Sequence, residues 1–328
     1  MTLTVGIVGG GPWGISLARA VARTGTEVTH FTRRDTKKTQ LIHHTTSYAE
    51  VAKAKLIILA VPSNVAREVL RGLGDHLDGS HLVVHGIRGL APLEFEASDT
   101  PPPSSRSGGA HAKPADPLPT ISDIVREETP VRRLGALGGP VQADELHHGT
   151  ASALVVGSHY QEVTSAVVKA FSGPWLRVYP THDLRGVELA SAMVGCMSVG
   201  VGFAKAAGAG PGLLAVLISR AVHDAGRIAA VAGAEEPTIY GLPGYGDLLA
   251  SIALDRRPEV VVGRSLAQGK SLDEAIAAAE LRVEAVALIP RLVAFARARG
   301  IQAPAFEGLA RMLSGERGEE ILGRFFQG

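Results

Sequence analysis

Three glycines near the start of the chain have the spacing of a phosphate-binding turn. Gly9, Gly11 and Gly14 follow a β-rich run and precede a segment with helical apolar spacing. Such glycines let the backbone approach a pyrophosphate, and the free N–H groups at the start of the helix stabilise its charge. The spacing predicts a site for NAD or NADP, with Pro12 and Trp13 in the same turn. The alternative is a glycine turn in an α/β protein that binds no nucleotide.

Two arginines at the end of the next strand bear on the choice of cofactor. An acidic side chain there hydrogen-bonds the ribose hydroxyls of NAD, whereas a basic one accommodates the 2′-phosphate of NADP. Arg33 and Arg34 come before Asp35 in this chain. The order gives a slight preference for NADP over NAD. The alternative is a solvated charge cluster after the strand.

Alternating strand-like and helix-like segments must position these residues. Strand-like runs cover residues 4–8, 28–31, 56–61, 81–84, 133–137 and 152–157, and segments with helical spacing lie between most of them. The continuous apolar run 56–61 is typical of a parallel strand buried on both faces. The alternation predicts an α/β fold with an N-terminal Rossmann-type, doubly wound parallel sheet.

The later part of the chain has a different pattern. Strand signals cease after about Val178, and from Val187 onward the spacing is helical. We therefore predict a dinucleotide-binding domain over residues 1–182 and an all-α substrate or dimerisation domain over residues 183–328. Residues 94–119 are dominated by Pro, Ser, Gly and Ala, which predicts a mobile surface insertion.

The composition is that of a soluble globular chain without a charge bias. Its 328 residues suggest two domains, and its mean hydropathy of +0.16 is typical of a folded soluble protein. The 33 basic and 32 acidic residues give a formal charge of +1. We therefore expect a small-molecule substrate, with neither nucleic acid nor membrane as a partner.

The single cysteine and the start of the chain bear on location. Cys196 excludes an internal disulfide and a multi-cysteine zinc site, and in an apolar run it is typical of core packing. Residues 1–5 lack the features of a signal peptide, and the longest apolar stretch, 190–204, is too short to span a bilayer. We expect a cytoplasmic protein with no metal site.

Further motifs follow in order along the chain. They are Gly-x-Gly-x-Trp-Gly at 9–14, Ala-Val-Pro-Ser at 60–63, Arg-Gly-Leu at 88–90, Gly-Pro-x-x-Ala-x-Glu at 139–145, Asp-x-x-Gly-Val-Glu at 183–188 and Gly-Leu-x-Gly-x-Gly-Asp-Leu at 241–248. In this order they resemble the motifs of the NAD(P)-dependent glycerol-3-phosphate dehydrogenases. The resemblance covers almost the whole chain apart from the insertion.

The resemblance implies a cleft between the two domains. In it, hydride passes between C4 of nicotinamide and C2 of dihydroxyacetone phosphate or glycerol 3-phosphate. The further cofactor-binding residues that it implies are Pro62, Ser63, Ala143 and Glu284. The substrate-binding residues that it implies are Arg88, Gly139, Asp247 and Arg257, of which Arg88 and Asp247 are also the candidate catalytic residues.

The chain departs from the family at the catalytic lysine. The family has Gly-Val-Glu-x-x-x-Ala-x-Lys-Asn, and this chain has Val194 at the lysine position and Gly195 at the asparagine position. A valine neither donates a proton nor offsets an alkoxide, and general acid–base help is worth about 10²–10⁴ in rate. The family mechanism is therefore absent in its usual form.

The anion-binding positions also differ. The second family lysine is replaced by Arg88, which keeps the charge but is too weak an acid to give up its proton readily. At the family's Arg-Asn phosphate clamp the chain has Pro258 and Glu259, and Glu259 would repel a phosphate. Arg257 reaches the phosphate only if the loop shifts by a residue or two, in which case its guanidinium forms a two-point fork.

Several residues are candidate substitutes for the lysine. Ser191 lies one helical turn before Val194 on roughly the same face, although core packing is the alternative role. Histidine is the natural acid near neutral pH, and the candidates are His85, His182 and His223. Each of these also has a structural or surface interpretation. We assign none of them as the acid, and Asp247 itself has the alternative role of a loop cap.

Two hypotheses follow. The first is an NAD(P)-dependent dehydrogenase or reductase acting on dihydroxyacetone phosphate or a related carbonyl or imine compound. The second is a homologue that binds the cofactor without turnover, as a sensor or partner-binding module. Hydride transfer needs mainly orientation and a dry cleft, so losing an acid weakens catalysis without abolishing it.

The small-residue run 190–210 either faces a second subunit in a homodimer or forms a central packed helix.

Overall fold

The computed structural model describes residues 3–34, 39–93, 118–316 and 320. Eight strands within these ranges form one sheet. They are β1 Val5–Val8, β2 Val28–Phe31, β3 Ile42–Thr45, β4 Leu56–Leu59, β5 Leu82–His85, β6 Arg133–Gly138, β7 Ser152–Gly157 and β8 Leu176–Thr181. The predicted α/β class is confirmed.

The strand order of the sheet is β3-β2-β1-β4-β5-β6-β7-β8. All neighbouring strands are parallel except β6 and β7, which are antiparallel. The order reverses between β1 and β4, and open α/β sheets bind their ligands at such a switch point. Sequence reasoning missed β3, because an edge strand with two central histidines, His43 and His44, carries no apolar alternation.

Helices cover both faces of the sheet. They are α1 Pro12–Arg23, α2 Tyr48–Val51, α3 Ser63–Gly74, α4 Ile121–Glu128, α5 Ala143–His148 and α6 Gln161–Phe171. Pro12 is a favourable first residue for α1 because its fixed φ suits a helix and its missing N–H costs nothing there. Strands β1 and β4 are buried along their whole length, as the continuous apolar run predicts.

Every regular element of the described residues after Thr181 is helical. These helices are α7 Leu184–Ala206, α8 Pro211–Val231, α9 Glu236–Tyr240, a π-helical turn Leu242–Gly246, α10 Asp247–Ile252, α11 Pro258–Ala267, α12 Leu272–Ala278, α13 Glu284–Ala298 and α14 Pro304–Leu313. They share one apolar core around α7. The C-terminal part is therefore all α, as predicted.

Helix α7 is the centre of the C-terminal part. It is long and apolar enough to cross a membrane, but 94% of its most apolar window is buried inside the protein. It is therefore a core helix, as the packed-helix interpretation of 190–204 predicts, although the helix is longer than the apolar stretch that the sequence indicated. Its glycines allow close packing, because a Cβ atom at Gly202 would lie 2.3 Å from the carbonyl oxygen of Val260 in α11.

The predicted insertion at 94–119 falls mostly outside the described residues. At its flanks, the N–H of Ala91 donates to the carbonyl oxygen of Pro119 over 3.0 Å. Leu118 is fully buried in the core of the helical part. Residues 118 and 119 therefore pack against the protein, although they lie within the predicted insertion.

Candidate functional site

The glycine turn is built by close backbone contacts. Gly9 has φ +139°, and a Cβ atom there would lie 2.2 Å from the carbonyl oxygen of Ala60. A Cβ atom at Gly14 would lie 1.9 Å from the carbonyl oxygen of Gly9. A Cβ atom at Gly11 would meet nothing within 4 Å, and Gly11 starts α1 without a side-chain cap. The first N–H groups of α1 thus face open space, as a pyrophosphate site requires.

A buried histidine in the neighbouring strand contacts the backbone of this turn. Nε2 of His30 in β2 lies 2.9 Å from the carbonyl oxygen of Gly9, and Nδ1 lies 3.2 Å from Nδ1 of His44. Burial lowers the pKa of His30, so the imidazole is neutral and Nε2–H donates to Gly9. Sequence reasoning missed His30, since only the observed register places its ring under the turn.

Trp13 connects the turn to β5. A Cβ atom at Gly86 would lie 2.6 Å from its Nε1 atom, so glycine is needed there for the indole to fit. Nε1 is buried and has no hydrogen-bond partner among the described residues. A buried indole N–H normally finds an acceptor. It is therefore a donor available at the carboxyl edge of the sheet, beside the glycine turn.

The two arginines after β2 are exposed. The backbone N–H of Arg34 donates to the hydroxyl of Thr32 over 3.1 Å, which fixes the bend at the strand end. The side chains of Arg33 and Arg34 both face solvent. Asp35 lies outside the described residues, so the comparison of basic and acidic side chains at this strand end stays a prediction.

The predicted cofactor residues Ser63 and Glu284 contact each other across the two parts of the chain. Pro62 caps α3, whose first turn begins at Ser63. The Ser63 N–H donates to Oε1 of Glu284 over 3.1 Å, and its hydroxyl donates to Oε2 over 2.6 Å. A carboxylate at a helix start is favoured by the exposed N–H groups there. A Cβ atom at Gly89 would lie 3.2 Å from both of these side chains, which brings the Arg-Gly-Leu motif to the same place.

An ion pair between the two parts of the chain joins Arg88 and Asp247. Nη1 of Arg88 lies 2.9 Å from Oδ2 and 3.2 Å from Oδ1 of the carboxylate. The Asp247 side chain is fully buried, whereas the Arg88 side chain is 30% exposed. Nη2 of Arg88 donates to the carbonyl oxygen of Val141 over 3.3 Å. The structure therefore orients one partly accessible guanidinium between the sheet and α10.

The segment after β6, whose Val141 carbonyl oxygen accepts from Arg88, contains two further predicted residues. Gly139 has φ +98°, a conformation that glycine adopts without strain. Its carbonyl oxygen accepts from the N–H of Val141 over 2.8 Å. Ala143 is the first residue of α5, where Gln142 and Glu145 form a capping box. Gly139 therefore lies near Arg88, and Ala143 lies at the start of the adjacent short helix.

Arg257 turns inward rather than toward solvent. Its side chain is only 6% exposed, Nε donates to Oε2 of Glu259 over 2.9 Å, and Nη1 donates to the hydroxyl of Ser251. Nη1 also lies 3.8 Å from Oδ1 of Asp247. Burial, and then repulsion from Arg88, lower the pKa of Arg257. The structure thus gives the Arg257 guanidinium partners inside the protein, and its contact with a phosphate stays a prediction.

The position of the family lysine lies in the apolar core. Val194 has no exposed surface and packs in the core of the helical part. One turn earlier, the Ser191 hydroxyl is buried and has no hydrogen-bond partner among the described residues. It faces the end of β6, where a Cβ atom at Gly138 would lie 3.2 Å from it. Ser191 is therefore a free hydroxyl rather than a bonded core residue.

The three candidate histidines have partners elsewhere. Nε2 of His85 donates to Oε1 of Glu188 over 2.9 Å, and Nδ1 accepts from the N–H of Ile87. Burial raises the pKa of Glu188, but the His85 contact and the backbone N–H of Ser122 lower it by more. His182 pairs with exposed Glu235, and His223 contacts the Tyr240 hydroxyl.

Asp247 and Asp183 have different roles at helix starts. Asp183 caps α7, because Oδ1 accepts from the Gly186 N–H over 2.8 Å and Oδ2 accepts from the Glu235 N–H over 2.9 Å. Asp247 begins α10 and pairs with guanidinium groups instead.

In the part of the chain that the structure describes, no cluster of His, Cys, Asp and Glu is arranged to hold a metal ion.

Relatives of known identity share this organisation. A chain from Fusobacterium nucleatum named glycerol-3-phosphate dehydrogenase (NAD(P)+) is 28% identical over 94% of this chain and 92% of its own length. A protein of the same name from Caulobacter vibrioides is 27% identical over 95% of this chain and 93% of its own.

Solved structures share the fold. A glycerol-3-phosphate dehydrogenase from Coxiella burnetii superposes with a TM-score of 0.85 at 20% identity, over 100% of this chain and 99% of its own. The corresponding enzyme from Plasmodium falciparum has a TM-score of 0.83 at 14% identity, over 99% of this chain and 95% of its own.

The family signature spans both parts of the chain. Residues 4–164 match the N-terminal part of NAD-dependent glycerol-3-phosphate dehydrogenase, and residues 183–321 match its C-terminal part. The relatives are oxidoreductases that use NAD or NADP. With the glycine turn and the Arg88–Asp247 ion pair in place, this chain belongs to the NAD-dependent glycerol-3-phosphate dehydrogenase family and is an NAD(P)-dependent dehydrogenase.

Proposed function

We propose that this protein interconverts dihydroxyacetone phosphate and glycerol 3-phosphate, or a closely related carbonyl and alcohol pair, with NAD(P). The observation that carries the proposal is the buried Asp247 that orients the partly exposed guanidinium of Arg88 over 2.9 Å. A guanidinium held in this way stabilises the negative charge that develops on the carbonyl oxygen during reduction.

The glycine turn fits a dinucleotide. Side chains at Gly9 and Gly14 would occupy the space that backbone atoms fill, and the start of α1 at Gly11 is open. We propose that these glycines, Pro12 and Trp13 hold the pyrophosphate. When bound, the nicotinamide supplies or accepts the hydride. We further propose Pro62, Ser63, Ala143 and Glu284 as cofactor-binding residues at the rim of the same site.

We propose NADP as the preferred cofactor. The support is that Arg33 and Arg34 are exposed at the end of β2, where the 2′-phosphate of NADP is placed in this fold. Measured affinities for NADPH and NADH decide the point. Substituting both arginines by glutamine should weaken NADPH binding and leave NADH binding nearly unchanged.

The residues of the cleft orient the substrate but supply no strong acid. Asp247 fixes the guanidinium of Arg88, and Gly139 positions the loop whose Val141 carbonyl oxygen accepts from it. Arg88 retains its proton because a guanidinium is a very weak acid. The proton that reaches the C2 oxygen therefore comes from solvent, and the Ser191 hydroxyl is a candidate relay that passes its own proton on and regains one from water. We expect turnover to be slower than with a lysine acid, by about 10²–10⁴.

We propose that the two parts of the chain meet at residues 182 and 183. The support is that the sheet ends at Thr181 and the first helix of the C-terminal part begins at Leu184.

We also propose a cytoplasmic location, for which the support is a single buried cysteine, Cys196, and no need for disulfides.

We propose a homodimer that forms through α8. Residues 190–204 of the small-residue run are almost entirely buried within the chain, so they are the central packed helix. The first half of α8 is less covered, with Val216 43% exposed beside a cavity of about 750 Å³ lined by Leu214, Ile218 and Tyr245. Light scattering on the purified chain and on Val216→Asp should separate a dimer from a monomer.

A fluorescence titration with NADPH and NADH, followed by dihydroxyacetone phosphate in the same cuvette, tests the function. Cofactor oxidation proportional to enzyme supports the proposal. Tight cofactor binding without any oxidation, over a range of dihydroxyacetone phosphate concentrations, would contradict it.

A further inference from the structure

The carboxylate of Glu259 reaches the interior beside α7. Its side chain is 15% exposed, and Oε1 lies 3.5 Å from the position of a Cβ atom at Gly195. Burial raises the pKa of the neighbouring Cys196 thiol, and the negative charge of Glu259 raises it further. The Glu259 charge is therefore felt inside the helical core, next to the position where the family has its lysine.

The backbone that carries Glu259 is held firmly in place. Helix α11 packs against α7 so closely that a Cβ atom at Gly263 would lie 1.9 Å from the carbonyl oxygen of Val199. A Cβ atom at Gly202 would lie 2.3 Å from the carbonyl oxygen of Val260. Because these backbones touch, the start of α11 has little freedom to carry Arg257 and Glu259 away from the cleft.

The charges around the cleft cancel in pairs. Asp247 faces Arg88 at 2.9 Å and Arg257 at 3.8 Å, and Glu259 accepts from Arg257 over 2.9 Å. These two guanidinium groups and two carboxylates carry no net charge. Beside Gly89, Glu284 and Arg282 form another neutral pair over 3.3 Å. Among these described side chains, an entering substrate thus meets no excess of positive charge.

Of the two guanidinium groups, only one is accessible. The Arg88 side chain is 30% exposed, and that of Arg257 is 6% exposed. Within the group formed by Arg88, Asp247, Arg257 and Glu259, a phosphate dianion has one partly accessible cation, which is already shared with Asp247. The dianion would also lie within the field of Glu259. Like charges at such a site oppose binding strongly because the low dielectric screens them poorly.

We propose that Glu259 determines how much negative charge a substrate of this enzyme can carry. By offsetting Arg257 it disfavours a doubly charged phosphate ester relative to a carbonyl compound with one negative charge or none. The inference rests on the proposed dehydrogenase function and specifies its substrate class. Glu259 is a specificity-determining residue that acts through charge rather than through contact with the reacting atoms.

A set of charge variants tests the proposal. Glu259→Gln keeps an oxygen that accepts from Nε of Arg257 and removes the charge. It should lower KM for dihydroxyacetone phosphate about tenfold and leave kcat and the KM for uncharged dihydroxyacetone within about twofold. Arg257→Gln should raise KM for the phosphate ester, and the double variant Arg257→Gln with Glu259→Gln should return it to the wild-type value.

Controls separate charge from packing. Glu259→Asp keeps the charge and should leave the preference unchanged, and Glu235→Gln removes an exposed carboxylate that pairs with His182 away from the cleft. Melting curves show whether each variant is folded. Equal KM values for the phosphate ester in wild type, Glu259→Gln and the double variant would overturn the proposal.

A binding measurement distinguishes this inference from the proposed function. Calorimetric titration of NADPH-saturated protein with glycerol 3-phosphate involves two reduced compounds, so no hydride is exchanged. Tighter binding to Glu259→Gln, in an enzyme that never oxidises NADPH, would support the charge role and contradict the dehydrogenase function. No tightening, in an enzyme that does oxidise NADPH, would leave the function standing and contradict the charge role.

Discussion

The two ends of the cleft differ in what holds them together. The nucleotide end is built from backbone contacts, such as those of Gly9 and Gly14 with neighbouring carbonyl groups. The chemical end is built from side chains, in which Arg88 and Arg257 both face Asp247. A contact between backbone atoms changes only when the path of the chain changes, whereas a charged side chain changes with a single substitution. The family pattern is accordingly complete at the first end and altered at the second.

The largest expected effect is at the backbone end. Gly14→Ala places a Cβ atom 1.9 Å from the carbonyl oxygen of Gly9, so the turn must open. We expect NADPH affinity to fall by at least about a hundredfold, measured by fluorescence titration. Gly79→Ala is the matched control, because a Cβ atom there meets nothing within 4 Å. Unchanged affinity in Gly14→Ala would show that the turn is not the cofactor site.

The next effect is at the centre of the charged end. Asp247→Asn leaves Arg88 and Arg257 facing each other without a carboxylate between them. We expect kcat/KM to fall about a hundredfold and the free energy of unfolding to fall by about 3 kcal/mol. Asp255→Asn removes an exposed carboxylate nearby and should change neither quantity. Wild-type kinetics in Asp247→Asn would show that the pair is structural only.

A gain of function sharpens the comparison further. Val194→Lys restores a cationic acid at the family's lysine position and should raise kcat with dihydroxyacetone phosphate, by up to about a hundredfold. Val194→Met adds length without charge and is the control. A folded Val194→Lys protein with no gain would mean that the anion site has changed as well, in keeping with the charge of Glu259.

The smallest expected effect is on the pH dependence of stability, through the buried His30 that contacts the glycine turn. Burial lowers the pKa of His30 in the folded state below its value of about 6.5 in the unfolded chain. Its contribution to stability is therefore complete above pH 6.5 and declines as the pH falls below that value. We expect the Tm of His30→Gln to fall less between pH 7.5 and 5.5 than the Tm of wild type, by a few degrees. His43→Gln, an exposed histidine, should behave like wild type.

The sequence predicted the parts that local patterns control. The glycine spacing, the apolar strands and the helical C-terminal part all follow from periodicity and turn chemistry, and the structure confirms the fold. The edge strand β3 was missed because its pairing with β2, rather than its own composition, makes it a strand.

The sequence did not predict contacts that depend on packing between distant segments. Ser63 and Glu284 are separated by 221 positions, and their hydrogen bonds require both parts of the chain to be in place. The inward orientation of Arg257 likewise depends on the close packing of α11 on α7. The motif comparison identified the departures at Gly195 and Glu259, but only the structure shows that these two positions lie beside each other.

The contact between Gly195 and Glu259 also bears on which side chains position 195 accepts. A Cβ atom at Gly195 would lie 3.5 Å from Oε1 of Glu259, which is an ordinary van der Waals distance. An asparagine there carries an amide N–H group, and a carboxylate such as that of Glu259 accepts hydrogen bonds from such a donor. A return toward the family pattern at position 195 therefore requires no earlier change at position 259.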